Sequence, residues 1–370
     1  MERIEDILER RWLTNNGPYV QAFEKRVREL VGVRECVATC NGTIALEILI
    51  RAVGMTGEVI VPSFSFVATA HALQWQEIEP VFCDIDPLTH NLDPQRVEEL
   101  VTPRTTGIIG VHLWGRPCDV EGLQAVADSH NLQLIFDASH AFGCSHGTRM
   151  IGGFGRGETF SFHATKFVNC FEGGAIVTDD SELAEKMRLM RNFGFESKDS
   201  VIYLGSNGKM TEVCAAMGLT SIESMDEYVV ANSRHHYTYS KRLNRVPGLS
   251  VLPYPEKERS NFNYVVVEVD EKRTGLSRDE LVKVLELENV LARRYFHPGI
   301  HRMEPYSSYQ PTAGLVLPET ERVAARVMVL PTGQTLETAD VQRIAEIIET
   351  ACAAPEAVSA RIAEELATTR

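Results

Sequence analysis

The sequence predicts an α/β protein built on a largely parallel sheet, on three observations. From about residue 43 to 180, short apolar runs alternate with segments of helical periodicity. The apolar runs are continuous, as in strands covered on both faces by helices. Polar residues and glycines gather immediately after several of these runs, where open parallel sheets bind ligands.

The elements follow in order. "GTIALEILIRAVG" has helical spacing and stops at a glycine, "EVIVP" is a short buried strand, and "SFSFVATAHALQWQ" reads as a second helix. "PVFCDID" is a strand, and "DPQRVEELV" is a helix with Asp93 as its cap and Pro94 in its first turn. "TGIIGVHLWG", "DVEGLQAVADSHN" and "LQLIFDASH" supply strand, helix and strand. Thr159 to Phe162 and Gly173 to Val177 read as two further strands around a short connection.

After "SELAEKMRLMRNFGF" the pattern loosens into "YLGSNGKMTE", and one long helix is expected from roughly 211 to 245. "NYVVVEVD", "SRDELVKVLELENV" and "ADVQRIAEIIETACAA" then predict a smaller α+β domain, with "PEAVSARIAEELATTR" as an Ala/Glu-rich helix. The expected division is a large domain over 1–235 and a small one over 236–370.

Composition narrows the function classes. The 370 residues carry 37 basic and 51 acidic side chains, a net charge of -14, which disfavours non-specific nucleic-acid binding. No run of about 18 apolar residues is present and the first residues lack an apolar signal core, so a cytoplasmic protein without membrane contact is expected. The eight cysteines are scattered, with no CxxC pair and no zinc-type spacing, and read as reduced thiols with no metal site. "GGFGRGE" at 152–158 precedes a strand and does not join a strand to a helix, so it is no dinucleotide fingerprint.

Three post-strand stretches carry candidate chemistry. In "CNGT", Asn41 and Gly42 open a helix whose free N–H groups suit a phosphate, although a plain helix cap reads the same way. Asp137 follows "LQLIF", where a carboxylate is either a turn cap or the partner of a cation. Lys166 lies between two buried strands, as a snorkelling surface lysine or as a partly desolvated amine. Taken together, a phosphate cradle, a buried carboxylate and a lysine able to form a Schiff base are the set that pyridoxal 5′-phosphate requires.

The chain resembles the DegT/DnrJ/EryC1/StrS sugar aminotransferases, within the aspartate aminotransferase-like (fold type I) pyridoxal-phosphate enzymes. The resemblance is carried by "LTNNGPYVQAFE" (13–24), "NGTIALEI" (41–48), "VPSFSFVATA" (61–70), "VFCDIDPLTHNLDP" (81–94), "FDASHAFG" (136–143), "FSFHATKFVNCFEGGAIVT" (160–178), "SNGKMTEVCAA" (206–216) and "HPGIHRMEPY" (297–306). It implies a large domain with a mainly parallel seven-stranded sheet and a smaller C-terminal α+β domain.

The resemblance further implies that Lys166 bonds the cofactor and later shuttles a proton, while Asp137 pairs with the pyridine nitrogen. Phe66 would stack on the ring and His140 would lie on its other face or beside its hydroxyl. Gly42, Thr43 and Ser161 would hold the phosphate, and Asn207 would reach it from the partner of a homodimer. His163 would help orient the site. Tyr295, His301, Arg293 and Arg294 are candidate contacts to a nucleotide-linked sugar, with glutamate as amino donor.

"RRYF", "HPGIH" and "VLPTG" look most like members acting on dTDP-4-keto-6-deoxyhexoses, in deoxyaminosugar and natural-product biosynthesis. A 3-keto-sugar aminotransferase and a non-catalytic cofactor-binding regulator are the alternatives. The N-terminus is short and lacks the proline-bearing lead of many relatives. "HPGIH" departs from the Pro-Leu-His order but keeps His301.

Overall fold

The computed structural model describes residues 1–308 and 313–368. Helices α1 (Glu2–Arg10) and α2 (Pro18–Val31) lead into β1 (Glu35–Thr39), α3 (Gly42–Ala52), β2 (Glu58–Pro62), α4 (Ala68–Gln74) and β3 (Glu79–Cys83). Next come α5 (Pro94–Glu99), β4 (Thr105–Val111), α6 (Val120–His130) and β5 (Gln133–Asp137). A two-residue ladder, β6 (Ser145–His146) with β7 (Arg149–Met150), precedes β8 (Glu158–Ser161), β9 (Gly174–Thr178) and α7 (Ser181–Met190).

The central sheet has seven strands in the order β1-β9-β8-β5-β4-β2-β3. The pairs from β8 through β5, β4 and β2 to β3 are parallel, whereas β9 runs antiparallel to both β1 and β8. The mainly parallel seven-stranded sheet expected from the sequence is therefore present, with β9 reversed.

Successive strand residues face opposite layers, as a period of two requires. Cys36, Ala38, Ile60, Ile108, Leu134 and Phe136 join one buried cluster, with Phe23 and Val27 of α2 and Leu123 of α6. Their neighbours Val37, Val59, Val61, Ile109 and Ile135 join the other, with Leu46 and Leu49 of α3 and Met187 of α7. Continuous apolar strands were the right signal because both faces are covered.

Two expectations shift. "SFSF" does not open the second helix, which begins at Ala68; Phe64 to Phe66 form the turn leading to it. The helix expected over 211–245 divides at Ser224 into α8 (Glu212–Glu223) and α9 (Met225–Leu243), after the hairpin of β10 (Phe195–Ser197) and β11 (Ser200–Val201). Ser224 is the C-cap of one helix and the N-cap of the next, a break without the glycine or proline that sequence reading relies on. The second of these helices runs without interruption through residues 235 and 236.

The C-terminal part has a three-stranded antiparallel sheet, β12 (Leu249–Val251), β13 (Val265–Val269) and β14 (Val327–Leu330). Around it lie α10 (Glu271–Thr274), α11 (Arg278–Leu287), α12 (Pro318–Arg326), α13 (Thr338–Ala353) and α14 (Pro355–Thr368). Its core joins Val265, Val267 and Leu281 to Ile344 and Ile348. A separate aromatic cluster, including Phe64, Trp114, Tyr264 and Phe296, seals the junction with the large sheet. All eight cysteines are free, five of them buried.

Candidate active site

A cavity of about 400 Å³ opens where the carboxyl ends of the large-sheet strands meet the C-terminal part. It is lined by Gly42, Thr43, Phe66, Asp137, His140, Ser161, His163, Lys166, Tyr264 and Tyr295, among others. Residues as far apart in the chain as Asn41 and Thr332 thus share one chamber.

The α3 N-terminus forms one end. Asn41 is its N-cap, and its side chain accepts a hydrogen bond from the Ile44 N–H at 2.8 Å. That leaves the Gly42 and Thr43 N–H groups at the open end of the helix, where the dipole favours an anion. Gly42 is required by close approach: a Cβ there would lie 2.9 Å from the Ser161 Cβ and 3.3 Å from its Oγ. Gly174 is tighter still, since a Cβ would meet the Asn41 carbonyl oxygen at 2.3 Å. Bare backbone at both positions brings β8 and β9 against the helix end, putting the Ser161 hydroxyl beside it.

Asp137 ends β5 and is buried. Its Oδ2 accepts from the Thr69 hydroxyl at 3.0 Å and its Oδ1 from the Ser139 N–H at 3.0 Å. Ser65 Oγ lies 3.1 Å from Thr69 Oγ1, extending the network. A buried carboxylate fixed by neutral donors keeps its negative charge available to a cationic group in the cavity.

His140 is buried beneath the cavity. Its Nδ1 accepts from the Trp114 N–H at 3.3 Å, which assigns the remaining proton to Nε2. Burial, with the Lys166 charge nearby, holds its imidazole well below the ordinary histidine range. It is a neutral donor at working pH, stacked with Trp114 and Phe296 and 4.4 Å from the Tyr264 ring centroid.

Lys166 stands on the connection between β8 and β9, in a turn closed by its own N–H bonding to the His163 carbonyl at 2.8 Å. Its Nζ donates to the Tyr264 hydroxyl at 3.0 Å. Asn169 shapes the same turn: its side chain donates to the Lys166 carbonyl at 3.5 Å and accepts from the Phe171 N–H at 3.3 Å. His163 lines the rim, with Nδ1 2.9 Å from the Thr165 hydroxyl and Nε2 3.6 Å from the Glu172 carboxylate. No described hydrogen bond joins its ring to the Lys166 amine.

Other expected residues lie elsewhere. Phe66 lines the cavity and is 56 % exposed, its ring open to whatever enters. Asn207 is exposed and does not line this chain's cavity. Tyr295 lines the cavity, but Arg293, Arg294 and His301 do not. Arg293 is exposed while its backbone pairs with Val329, and the Arg294 guanidinium is 3.2 Å from Asp279. His301 is buried between the Ser63 hydroxyl at 2.6 Å and the Glu321 carboxylate at 3.1 Å, with no free edge for a ligand. These three side chains therefore stand outside the lining of the cavity that one chain forms.

Thr69 and Tyr264 were missed by sequence reading. Thr69 sits one helical turn beyond "SFSF" and needs the partner Asp137 to declare itself. The only hint of Tyr264 is an aromatic hydroxyl just before the apolar run "VVVEV". Two clamps tie its strand to the large domain. Tyr254 Oη donates to the Trp114 carbonyl at 3.0 Å or the Tyr264 carbonyl at 2.9 Å, and Asn261 Nδ2 donates to the His140 and Phe142 carbonyls at 2.9 and 3.1 Å.

A family model described as the DegT/DnrJ/EryC1/StrS aminotransferase family matches residues 1–349. The chain is 39% identical over 328 residues to a dTDP-4-amino-4,6-dideoxy-D-glucose transaminase of Shigella dysenteriae, covering 89% of each. It is 34% identical over 354 residues to one from Escherichia coli, covering 94% of each. Among solved structures it resembles that of DesI in the presence of its TDP-sugar product, at 48% identity and TM-score 0.93, covering 97% of this chain and 91% of that one.

Proposed function

We propose a specific reaction for this chain, which belongs to the DegT/DnrJ/EryC1/StrS aminotransferase family: transfer of the amino group of L-glutamate to the keto carbon of dTDP-4-keto-6-deoxyglucose. The cofactor of this reading is pyridoxal 5′-phosphate. One observation carries it: the Lys166 amine, the buried Asp137 carboxylate and the open end of α3 border a single cavity. The names of the relatives and the TDP-sugar product of DesI support the choice of acceptor.

The residues present fit the cofactor. Gly42, Thr43 and Ser161 would hold its phosphate, Asp137 would hold the protonated pyridine nitrogen, and Phe66 would cover a ring face. His140, neutral and carrying its proton on Nε2, would donate to the ring or its hydroxyl. When bound, the cofactor carries the amino group between the two substrates and takes up the electron pair left when a C–H proton departs. Lys166 does the proton work: its Nζ takes a proton from glutamate's α-carbon and returns one at the sugar carbon.

Among the described residues, Lys166 is the one lysine or arginine lining this chain's cavity. A dicarboxylate or a nucleotide diphosphate needs more positive charge than that. This favours a homodimer in which the neighbouring copy completes the site, with Asn207 as its phosphate ligand. Phe193, Phe195, Ile202 and Leu204, all exposed beside Asn207, are the apolar surface such a dimer would cover. Free cysteines suit a cytoplasmic location, and none of the described helices is long and apolar enough to cross a membrane.

The test is incubation of the protein with pyridoxal phosphate, glutamate and either 4-keto or 3-keto dTDP-6-deoxyglucose, followed by product NMR. Amination at carbon 4 with release of 2-oxoglutarate is expected. No 2-oxoglutarate with either sugar overturns the assignment.

A further inference from the structure

The geometry points to Tyr264 as a further catalytic residue: the group that receives the Lys166 nitrogen whenever it is not bonded to the cofactor, and aims it while it carries a proton. This rests on the reading of Lys166 as the cofactor's lysine.

The Lys166 amine donates to Tyr264 Oη at 3.0 Å, and its Nζ is 5.7 Å from the Tyr264 ring centroid. No described hydrogen bond joins the Lys166 amine to Asp137 or His140. Both Asp137 oxygens take other donors, and His140 Nδ1 takes the Trp114 N–H. No described ion pair includes Lys166, so its ammonium depends on this one hydroxyl for a polar side-chain partner.

A phenol suits the task better than a carboxylate. It accepts a hydrogen bond from an ammonium and donates one to a neutral amine, so it follows the nitrogen through both protonation states. Tyr264 itself loses no proton in this scheme; the proton travels between the substrate carbon and Nζ.

The hydroxyl is also precisely placed by its surroundings in a literal sense: Tyr264 is 9% exposed, and its ring centroid lies 4.4 Å from that of His140 and 5.4 Å from that of Trp114. Its backbone is gripped by Tyr254 Oη, 2.9 Å from the Tyr264 carbonyl and 3.4 Å from its nitrogen. A phenylalanine would satisfy all of that packing. Among the described hydrogen bonds, the side-chain hydroxyl engages Lys166 alone.

The test is Tyr264→Phe, read in two ways. In the apoprotein, trace acetylation with mass spectrometry measures how available each amine is. Labelling of Lys166 relative to exposed Lys25 rises about tenfold or more in the variant, as expected for losing one hydrogen bond to a charged group. In the loaded enzyme, kcat falls about tenfold or more while the KM for glutamate stays within about twofold, and the isotope effect with 2-deuterated glutamate rises. A purely structural role for the ring would leave labelling and isotope effect unchanged. Should the variant fold poorly, Tyr254→Phe keeps the 264 hydroxyl but loosens its backbone, giving the same changes at smaller amplitude. Unchanged labelling and isotope effect in Y264F, with a wild type that binds the cofactor, overturn the role of Tyr264. A wild type that binds no cofactor and releases no 2-oxoglutarate overturns the aminotransferase reading instead, and the apoprotein labelling still decides the contact.

Discussion

Replacing Gly42 by alanine should damage the phosphate end of the site more than it damages the fold. The added Cβ would lie 2.9 Å from the Ser161 Cβ and 3.3 Å from the Ser161 Cα. Carbon atoms prefer about 3.5 to 4.0 Å, so helix and strand must part by roughly half an ångström or more. Overpacking of this kind costs about 1 to 3 kcal/mol, a melting point lower by a few degrees. The same shift separates the Ser161 hydroxyl from the helix N–H groups. Losing one charge-assisted hydrogen bond of about 1.5 to 3 kcal/mol weakens phosphate binding roughly 10- to 100-fold. Absorbance titration of the apoprotein with pyridoxal phosphate measures this, and thermal shift with inorganic phosphate isolates the anion site. Gly54→Ala, just beyond the other end of α3 at φ 81, is the control: it loses stability by backbone strain but keeps its affinity. A G42A protein that binds within twofold of wild type would refute the reasoning.

Asp137→Asn keeps the shape and the Ser139 bond but removes the negative charge; cofactor affinity should drop about 10- to 100-fold by absorbance titration, with little change in melting point. His90 accepts from the Trp114 indole N–H at 3.2 Å, and burial, with the Arg116 and Arg322 charges nearby, pushes its imidazole down to about 4 from 6.5. A depressed folded-state value means full stability above 6.5, declining as pH falls toward 4. About 2 kcal/mol should be lost by about pH 5, and this pH dependence should vanish from the melting curve of His90→Asn. Glu212 takes the Tyr19 and Val20 N–H groups at 2.9 Å each, anchoring the start of α2. Glu212→Gln sets an amide donor against one of them, which should cost about 1 to 3 kcal/mol and expose residues 13–19 to limited proteolysis.

What sequence reading captured is what chain-local chemistry encodes. The strands were legible because their residues are apolar on both faces. Asp137, Ser161 and Lys166 were legible because each follows or ends a strand of the same sheet, so parallel topology alone gathers them. The contacts that escaped are made across long separations. Tyr264 meets Lys166 across 98 positions, and no local pattern marks which tyrosine will do so. His301 reads as a ligand by motif, yet Ser63, 238 positions earlier, claims its ring. Arg293 and Arg294 carry the right charge for a diphosphate but are exposed and do not line the cavity. The break at Ser224 escaped because hydrophobic periodicity continues through it.

The clamps made by Tyr254 and Asn261 bear on how such proteins can be recombined. These two residues lie outside the large sheet, yet they hold the carbonyls of Trp114, His140 and Phe142 that shape the floor of the cavity. A chimera that joined this large domain to a relative's C-terminal part could keep every residue expected to touch the cofactor and still lose the floor beneath them. Recombination between relatives therefore has to carry the 254–264 segment with the 112–142 stretch as one inherited block, although more than a hundred residues separate them in the chain.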